Sequence, residues 1–483
     1  MRSLVILAVA LVANAAHAAD FVPGRVIVKW RSAAAARTRS AALVVHRAIA
    51  ADRALLATTP TRAATLALVD ALNADPDVEY AEPDYIRTRM GAPMTPSDPL
   101  YPKQWALPLI KAPDAWGDGY QGSPAVTVAI IDTGWVPHPE IAGRVVPGVG
   151  YDFISDPASS ADGDGRDGDP TDTGDSTDQS SALHGTHVAG IIAASSNNGV
   201  GVAGLDWGCR LLIVRALGIS HGTGVDSDIS DAIRWAAGLH VDGVPDNAHP
   251  ADVINMSFGG SGFSQSMQDA IHDAVGAGAI VVAAAGNLAV DAKDDSPAGL
   301  DGVIAVGAVD QSGQIAPYSN FGSVVALMAP GGSPNNDPTT GAPLGVLSTI
   351  ELVGSGFTYT YYAGTSQAAP FVSGTVSLMR GVHPHLSAVE AKQILQATAN
   401  PSARCANPND PTLDGCGGGL LDVDAAVALA ASAGDSIDPR AGNIVHGGYG
   451  CAVGGDGDRG AGAGALALLG LALAALAARR RVL

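Results

Sequence analysis

Residues 125–134 read Ala125-Val126-Thr127-Val128-Ala129-Ile130-Ile131-Asp132-Thr133-Gly134. Seven uncharged, largely β-branched residues run straight into a carboxylate and a turn glycine. A short apolar run of this kind is the pattern of a strand buried on both faces, as in parallel sheets covered by helices. Comparable runs recur at Leu211–Ala216, Val253–Met256, Ala279–Ala285, Val303–Val309 and Val324–Met328. Helical patterns lie between several of them, at Val188–Ala194, Ile229–Ala237 and Met267–Val275. Two more follow the last run, Ala368–Arg380 and Ala388–Thr398, the second opened by a Ser387/Glu390 capping box. The alternation predicts an α/β fold, a doubly wound, mostly parallel sheet with helices on both faces. Ligands of such sheets sit beyond the carboxyl ends of the strands. Residues directly after apolar runs, Asp132 first, are therefore the candidates for chemistry.

The chain has 483 residues, more than one core requires, with 47% hydrophobic and 15% charged residues and a net charge of −20. These values exclude a disordered chain or a coiled coil, and the acidity argues against nucleic-acid binding. The acid excess lies within residues 94–440. Four cysteines exclude a disulfide-stapled mini-domain.

The termini read as targeting sequence. Arg2, the apolar stretch Leu4–Ala13 and Ala16-His17-Ala18 form a secretory signal over residues 1–18. Residues 19–93 form a small α+β unit, with strands expected from Arg25–Trp30 and from Val78, and a helix over Thr65–Asn73. Pro93, Pro96, Pro99 and Pro102 mark an exposed linker. The α/β unit spans residues 94–435, and a Gly-rich linker with Cys451 spans 436–460. Within 461–483, Ala461–Ala478 carries no charge and is followed by Arg479, Arg480 and Arg481. That is the minimum for a membrane-spanning helix with positive residues inside.

Three motifs carry chemistry: Asp132-Thr133-Gly134 after a strand, His184-Gly185-Thr186-His187-Val188-Ala189-Gly190 entering a helix, and Gly364-Thr365-Ser366-Gln367-Ala368-Ala369-Pro370 opening another. Each alone is weak: Asp132 or Ser366 could simply cap a helix. His184 and His187 could form a metal pair, but no third ligand at suitable spacing accompanies them. A second Asp172-Thr173-Gly174 suggests a carboxylate pair sharing a proton. That copy follows no apolar strand, and forty residues are too few for two matching lobes. Together the three motifs supply a nucleophile, a base and an orienting carboxylate.

On these motifs the chain resembles the subtilisin-like serine proteases (subtilases), whose order is Asp, His, Ser. Ala283-Ala284-Ala285-Gly286-Asn287 and Asn255-Met256-Ser257-Phe258-Gly259-Gly260 match further family blocks. The segment Asp77-Val78-Glu79-Tyr80-Ala81-Glu82-Pro83-Asp84 is similar to the family's inhibitory propeptide. Gln367 departs from the usual Met beside the nucleophile. The resemblance implies an exported serine endopeptidase acting on proteins or peptides, made as a zymogen that removes its own propeptide. Ser366 would be the nucleophile, His184 the base and Asp132 the orienting carboxylate. Asn287 would serve the oxyanion, with Ser257, Phe258, Gly259, Ala284 and Gly286 binding substrate. Neither substrate segment contains Asp or Glu, which favours a large apolar residue before the cut.

Asp162, Asp164, Asp167, Asp169, Asp172, Asp175 and Asp178 crowd into 17 residues. Such hard oxygen ligands suit structural Ca²⁺; the plain alternative is a solvated loop. No catalytic metal is expected. Asn197–Val202 resembles the family's calcium loop, with the Asn198 side chain, the Val200 and Val202 carbonyls and Glu140 as ligands. Cys405 and Cys416 flank a turn-rich segment in an exported chain and are expected to pair; Cys209 precedes a strand and should be a free core thiol. The Gly-rich stretch with Cys451, apolar segment and Arg cluster resemble C-terminal sorting tags, which a membrane protease removes. That implies a transient inner-membrane hold, against a permanent anchor, and delivery to the envelope or the medium. Two other classes remain open: a binding protein on an inactive protease scaffold, and a processing protease with a single partner.

Overall fold

The computed structural model describes residues 21–40, 43–85, 91–174, 183–219, 222–352, 356–401 and 415–434. Residues 1–18, Asp175, Asp178, Cys405, Cys451 and Ala461–Ala478 lie outside these. Among the described residues, no helix is long and apolar enough to cross a membrane. The described residues divide into two compact units, 21–85 and 91–434.

The first unit holds β1 (Phe21–Trp30), α1 (Ala33–Ser40), β2 (Val45–Ala50), β3 (Arg53–Ala57), α2 (Arg62–Asn73) and β4 (Val78–Tyr85). Its sheet is antiparallel in the order β2-β3-β1-β4. Val26, Val28 and Trp30 alternate inward and meet Leu56, Val69 and Leu72. Thr61 starts α2 by accepting from the Ala64 N–H. The Ala/Arg-rich stretch 33–62 gave little sequence signal. Its elements are fixed by pairing, with Leu55 and Leu56 of β3 buried against β1.

The second unit is built on a seven-stranded parallel sheet, ordered β13-β12-β10-β8-β5-β7-β6. The strands are β5 (Thr127–Asp132), β6 (Val145–Asp152), β7 (Arg210–Arg215), β8 (Val253–Met256), β10 (Ile280–Ala284), β12 (Val303–Val309) and β13 (Val325–Pro330). Two short strands, β9 (Gly260–Ser261) and β11 (Asp295–Ser296), pair separately, and β14 (Val346–Leu352) with β15 (Gly356–Tyr362) forms a hairpin. The long helices are α3 (His184–Ala193), α4 (Asp226–Ala236), α5 (Gln265–Gly276), α6 (Thr365–Val382), α7 (Ala388–Thr398) and α8 (Val423–Gly434).

Period-two alternation assigns the two faces. Val128 and Ile130 of β5 join one core with Val188, Phe371, Leu395 and Val427 from α3, α6, α7 and α8. Ala129 and Ile131 join the other with Ile229, Ile233 and Trp235 of α4 and Met267 and Ile271 of α5. Each such side chain contributes about 1.5–3 kcal/mol on burial. The capping box at Ser387 and Glu390 forms as expected and starts α7.

Three features differ from the sequence expectation. Edge strand β6 was not anticipated, because Pro147, Gly148 and Gly150 interrupt its apolar run. The β14–β15 hairpin is Thr- and Tyr-rich rather than apolar, and its Ser348 and Thr349 hydroxyls donate to carbonyls of α3. Residues expected to form an exposed linker are held by the larger unit: the Met94 N–H donates to the Pro113 carbonyl, and Asp98 is buried.

Arg215 ends β7 beside Asp132, with which it is in register. It is buried, donating to Asp152 at 2.6 Å, to Asp162 at 2.7 Å and to the Thr173 hydroxyl at 3.1 Å. Burial pushes Asp152 up to about 7, even though Arg215 pulls it down. Removing one partner of a buried ion pair costs about 3–5 kcal/mol, because the remaining charge stays desolvated. Arg215→Met should therefore lower the unfolding free energy by about that amount. Urea titration checks this, and a loss under about 1 kcal/mol would show that the cluster is not what holds residues 152–173 to the sheet.

Candidate active site

Strand β5 delivers Asp132 and strand β8 delivers Ser257. They are neighbours at the point where the chain changes direction: β7 and β6 lie on one side of β5, while β8, β10, β12 and β13 lie on the other. Open α/β sheets form their crevice at such a switch point.

Asp132 is fully buried, and an unpartnered carboxylate there would be costly. Its Oδ1 accepts from the Thr133 N–H at 2.8 Å and lies 2.8 Å from Nδ1 of His184. His184 is the first residue of α3. The close approach depends on Gly185, where a Cβ would lie 2.1 Å from the Gly134 carbonyl oxygen. Thr133 locks the arrangement: its hydroxyl accepts from the Gly185 N–H at 3.0 Å and donates to Asp172 at 2.6 Å. Burial pushes Asp172 up to about 6, against the bonds from Thr133 and the Gly174 N–H. The second Asp-Thr-Gly thus contributes a carboxylate that positions the first.

His187 points elsewhere. Its Nε2 lies 3.2 Å from the Thr360 carbonyl, and its ring stacks on Tyr362 at 4.5 Å. Burial, aided by nearby His184, pushes its pKa down to about 3. It is a neutral core ring and not half of a metal pair.

Ser366 is the second residue of α6, and α6 packs against α3. Its carbonyl accepts from the Ser257 hydroxyl at 2.9 Å. Ser257 is in turn tied through Asn255 to Ser373, which lies two helical turns further along α6. Asn287 follows β10. Its Oδ1 accepts from the N–H and the hydroxyl of Thr365, at 2.8 and 2.9 Å. The amide oxygen is thereby spent, and the NH₂ is left as a donor beside Gly364, 3.3 Å from where a Cβ of that residue would stand. Gly286, at φ +106°, admits no side chain, because a Cβ would lie 2.4 Å from Nδ2 of Asn320. Ala284 is buried, Phe258 is half-buried, and Gly259 lies against the Ser296 carbonyl.

The described carboxylates of the acidic loop are not gathered into one site. Asp162 faces Arg215, Asp167 caps the Asp169 N–H, and Asp169 takes the Thr171 N–H and hydroxyl. Asp164 offers its carbonyl to Ser160, Asp172 holds Thr133, and Asp175 is outside the described residues. Among the described residues, no three acidic, His or Cys side chains come together to hold a metal.

The 197–202 loop is different. Glu140 and Asp98 are both buried there. Glu140 accepts from the Asn198 amide and the Val202 N–H, each at 3.3 Å, while Asp98 accepts from the N–H groups of Asn197 and Asn198. Burial pushes Glu140 above the usual carboxylate range. Two buried carboxylates with no basic partner among the described residues are hard oxygen ligands of the kind a divalent cation takes, although here each accepts from N–H groups. The sequence reading had missed Asp98. Cys209 is free and buried; Cys416 is disulfide-bonded, and its expected partner Cys405 is outside the described residues.

The Subtilase family profile matches residues 123–430. The chain belongs to the subtilase family. A second profile, the fervidolysin N-terminal prodomain, matches residues 8–84. This subtilase is 41% identical over 406 residues to an "Extracellular protease" of Xanthomonas campestris, covering 79% of this chain and 64% of that one. It is 38% identical over 401 residues to an "Extracellular basic protease" of Dichelobacter nodosus, covering 77% and 62%. It therefore spans less than two thirds of the length of these two relatives. A solved protease structure from Pseudoalteromonas arctica matches with TM-score 0.62 and 40% identity, over 70% of this chain and 100% of that one.

The buried His187 has a consequence for acid stability. As pH falls below about 6.5, the unfolded chain takes up a proton that the folded ring refuses, so stability falls. In His187→Gln that contribution vanishes. Between pH 6.5 and 4.5 the unfolding free energy of wild type should drop by roughly 2 kcal/mol more than that of the variant. Parallel acid-range urea titrations check this, and equal slopes would mean that His187 takes up its proton in the folded state.

Proposed function

We propose that this subtilase is an exported serine endopeptidase that hydrolyses peptide bonds through an acyl-enzyme. The 2.8 Å contact between buried Asp132 and His184 Nδ1 carries the reading, because it fixes the tautomer that presents Nε2 as a base. Ser366 Oγ attacks the scissile carbonyl as His184 takes its proton. The tetrahedral oxyanion forms beside the Asn287 NH₂ and the Ser366 N–H at the start of α6. The helix N-terminus favours that charge. His184 then returns the proton to the leaving amine. Water repeats the sequence on the acyl-Ser366, regenerating the hydroxyl and releasing the acid. Asp132 holds the ring in place and stabilises the imidazolium. Ser257–Gly259 offers a backbone edge to an extended substrate.

The prodomain match supports a zymogen in which residues 19–93 act as inhibitor and are removed by the enzyme itself. The leader over residues 1–18 supports export to the envelope or medium, which would also permit a Cys405–Cys416 disulfide. The apolar tail with Arg479–Arg481 supports a C-terminal hold in the inner membrane, released by a sorting protease. Asp98, Glu140, Asn198 and the Val200 and Val202 carbonyls would hold Ca²⁺, which would neutralise the buried carboxylates and brace the loop after α3.

Ser366→Ala should lower peptide hydrolysis by about 10⁶, the loss seen when subtilisin itself loses its serine. Circular dichroism should still report a folded chain, with residues 19–93 retained. Residual activity above roughly a thousandth of wild type would place the nucleophile elsewhere. Calcium at about a hundred times its dissociation constant should add about 2.7 kcal/mol of stability. Chelation should lower Tm, and Glu140→Gln should blunt the response. A Tm indifferent to chelator would leave the loop without a bound ion.

A further inference from the structure

Neither substrate-binding segment contains an acid, yet the fold brings one to them from further along the chain. Asp295 lies in β11, which pairs with β9 so that Asp295 faces Ser261 and Ser296 faces Gly260. That pairing continues the Ser257–Gly259 edge. On the other side, the Asp295 carboxylate lies 3.5 Å from the Cβ position of Gly286, the residue before Asn287.

Buried Asn320 holds it there. Its Nδ2 donates to Asp295 at 2.8 Å and to the Ala285 carbonyl at 3.0 Å. Its Oδ1 accepts from the N–H groups of Leu288 and Val290. One side chain thus fixes both the acid and the segment that carries the oxyanion donor.

A cavity of about 400 Å³ opens alongside, lined in part by Ser261, Phe263, Asp291, Lys293, Asp295 and Leu300. Lys293 stands 4.0 Å from Asp291, and Asp295 has no basic partner among the described residues. Phe263 and Val290, both exposed, also line it.

We propose that Asp295 determines specificity, selecting substrates with Arg or Lys immediately before the scissile bond. This rests on the endopeptidase reading. An apolar side chain entering the pocket would strip water from Asp295 and return nothing. A basic one brings the counter-charge, while its methylene stem packs on the exposed apolar margin. A site built around a polar partner discriminates strongly against analogues that lack it.

The test measures kcat/KM on peptide anilides that differ only in the residue before the cut, Arg, Lys, Leu or Phe. A fluorophosphonate probe titrates active Ser366 in the same samples. Wild type should favour Arg and Lys over Leu and Phe by at least about tenfold, a preference that shrinks as salt is raised. Asp295→Asn should bring the Arg-to-Leu ratio below one. Benzamidine, a small cation, should compete with the Arg substrate in wild type. Labelled enzyme that favours Leu or Phe, or that shows a salt-independent preference, would overturn the role of Asp295 and leave the endopeptidase reading standing. These wild-type readouts decide even if the variant does not fold. Absence of labelling would overturn the endopeptidase reading, and this inference with it.

Discussion

Burying a carboxylate at the end of a central strand is the constraint around which the larger unit is arranged. Asp132 has no exposed surface, so its charge must be met from within the protein. The answer comes from His184, from the Thr133 N–H, and from a helix start that reaches the strand only because residue 185 is glycine. Thr133 adds a second layer by linking Gly185 to Asp172. Arg215 adds a third, anchoring the loop that carries Asp172 to the neighbouring strand. The same groups that satisfy the buried charge also hold His184 in one orientation, so a stability requirement and the proposed catalytic geometry have a common solution.

The other half of the site is assembled from the far side of the switch point. Asn287 spends its amide oxygen on Thr365, Ser257 spends its hydroxyl on Ser366, and Asn255 and Ser373 tie strand β8 to helix α6. The first two links hold the backbone of Thr365 and Ser366, and the other two brace Ser257. None of these side chains needs to move to build the proposed oxyanion site.

Much of this was legible in the sequence because it is local. Apolar runs marked the strands on which Asp132, Ser257 and Asn287 end, and helix-opening motifs marked His184 and Ser366. What escaped the reading is long-range. Asp172 looked like part of a crowded acidic loop, and only the fold reveals it beneath Thr133, 39 residues away. Arg215 read as one charged residue within the run Leu211–Ala216, yet it collects Asp152 and Asp162. The same loop's aspartates suggested a cation site, but in the fold they are divided among an arginine, turn N–H groups and Thr133. Asp295 gave no signal, since nothing local connects it to Gly286. Edge strand β6 and the hairpin escaped because Pro, Gly and Thr dilute the apolar pattern that a covered strand displays.

The central claim is that Asp132, by fixing His184, makes Ser366 nucleophilic. The rate at which a fluorophosphonate modifies Ser366 measures that directly, without a peptide substrate or its specificity pocket. Mass spectrometry of wild type should place the adduct on Ser366, and Asp132→Asn, which presents the wrong tautomer, should react about 10⁴-fold more slowly. Equal rates in the two proteins, or an adduct on another serine, would contradict the account.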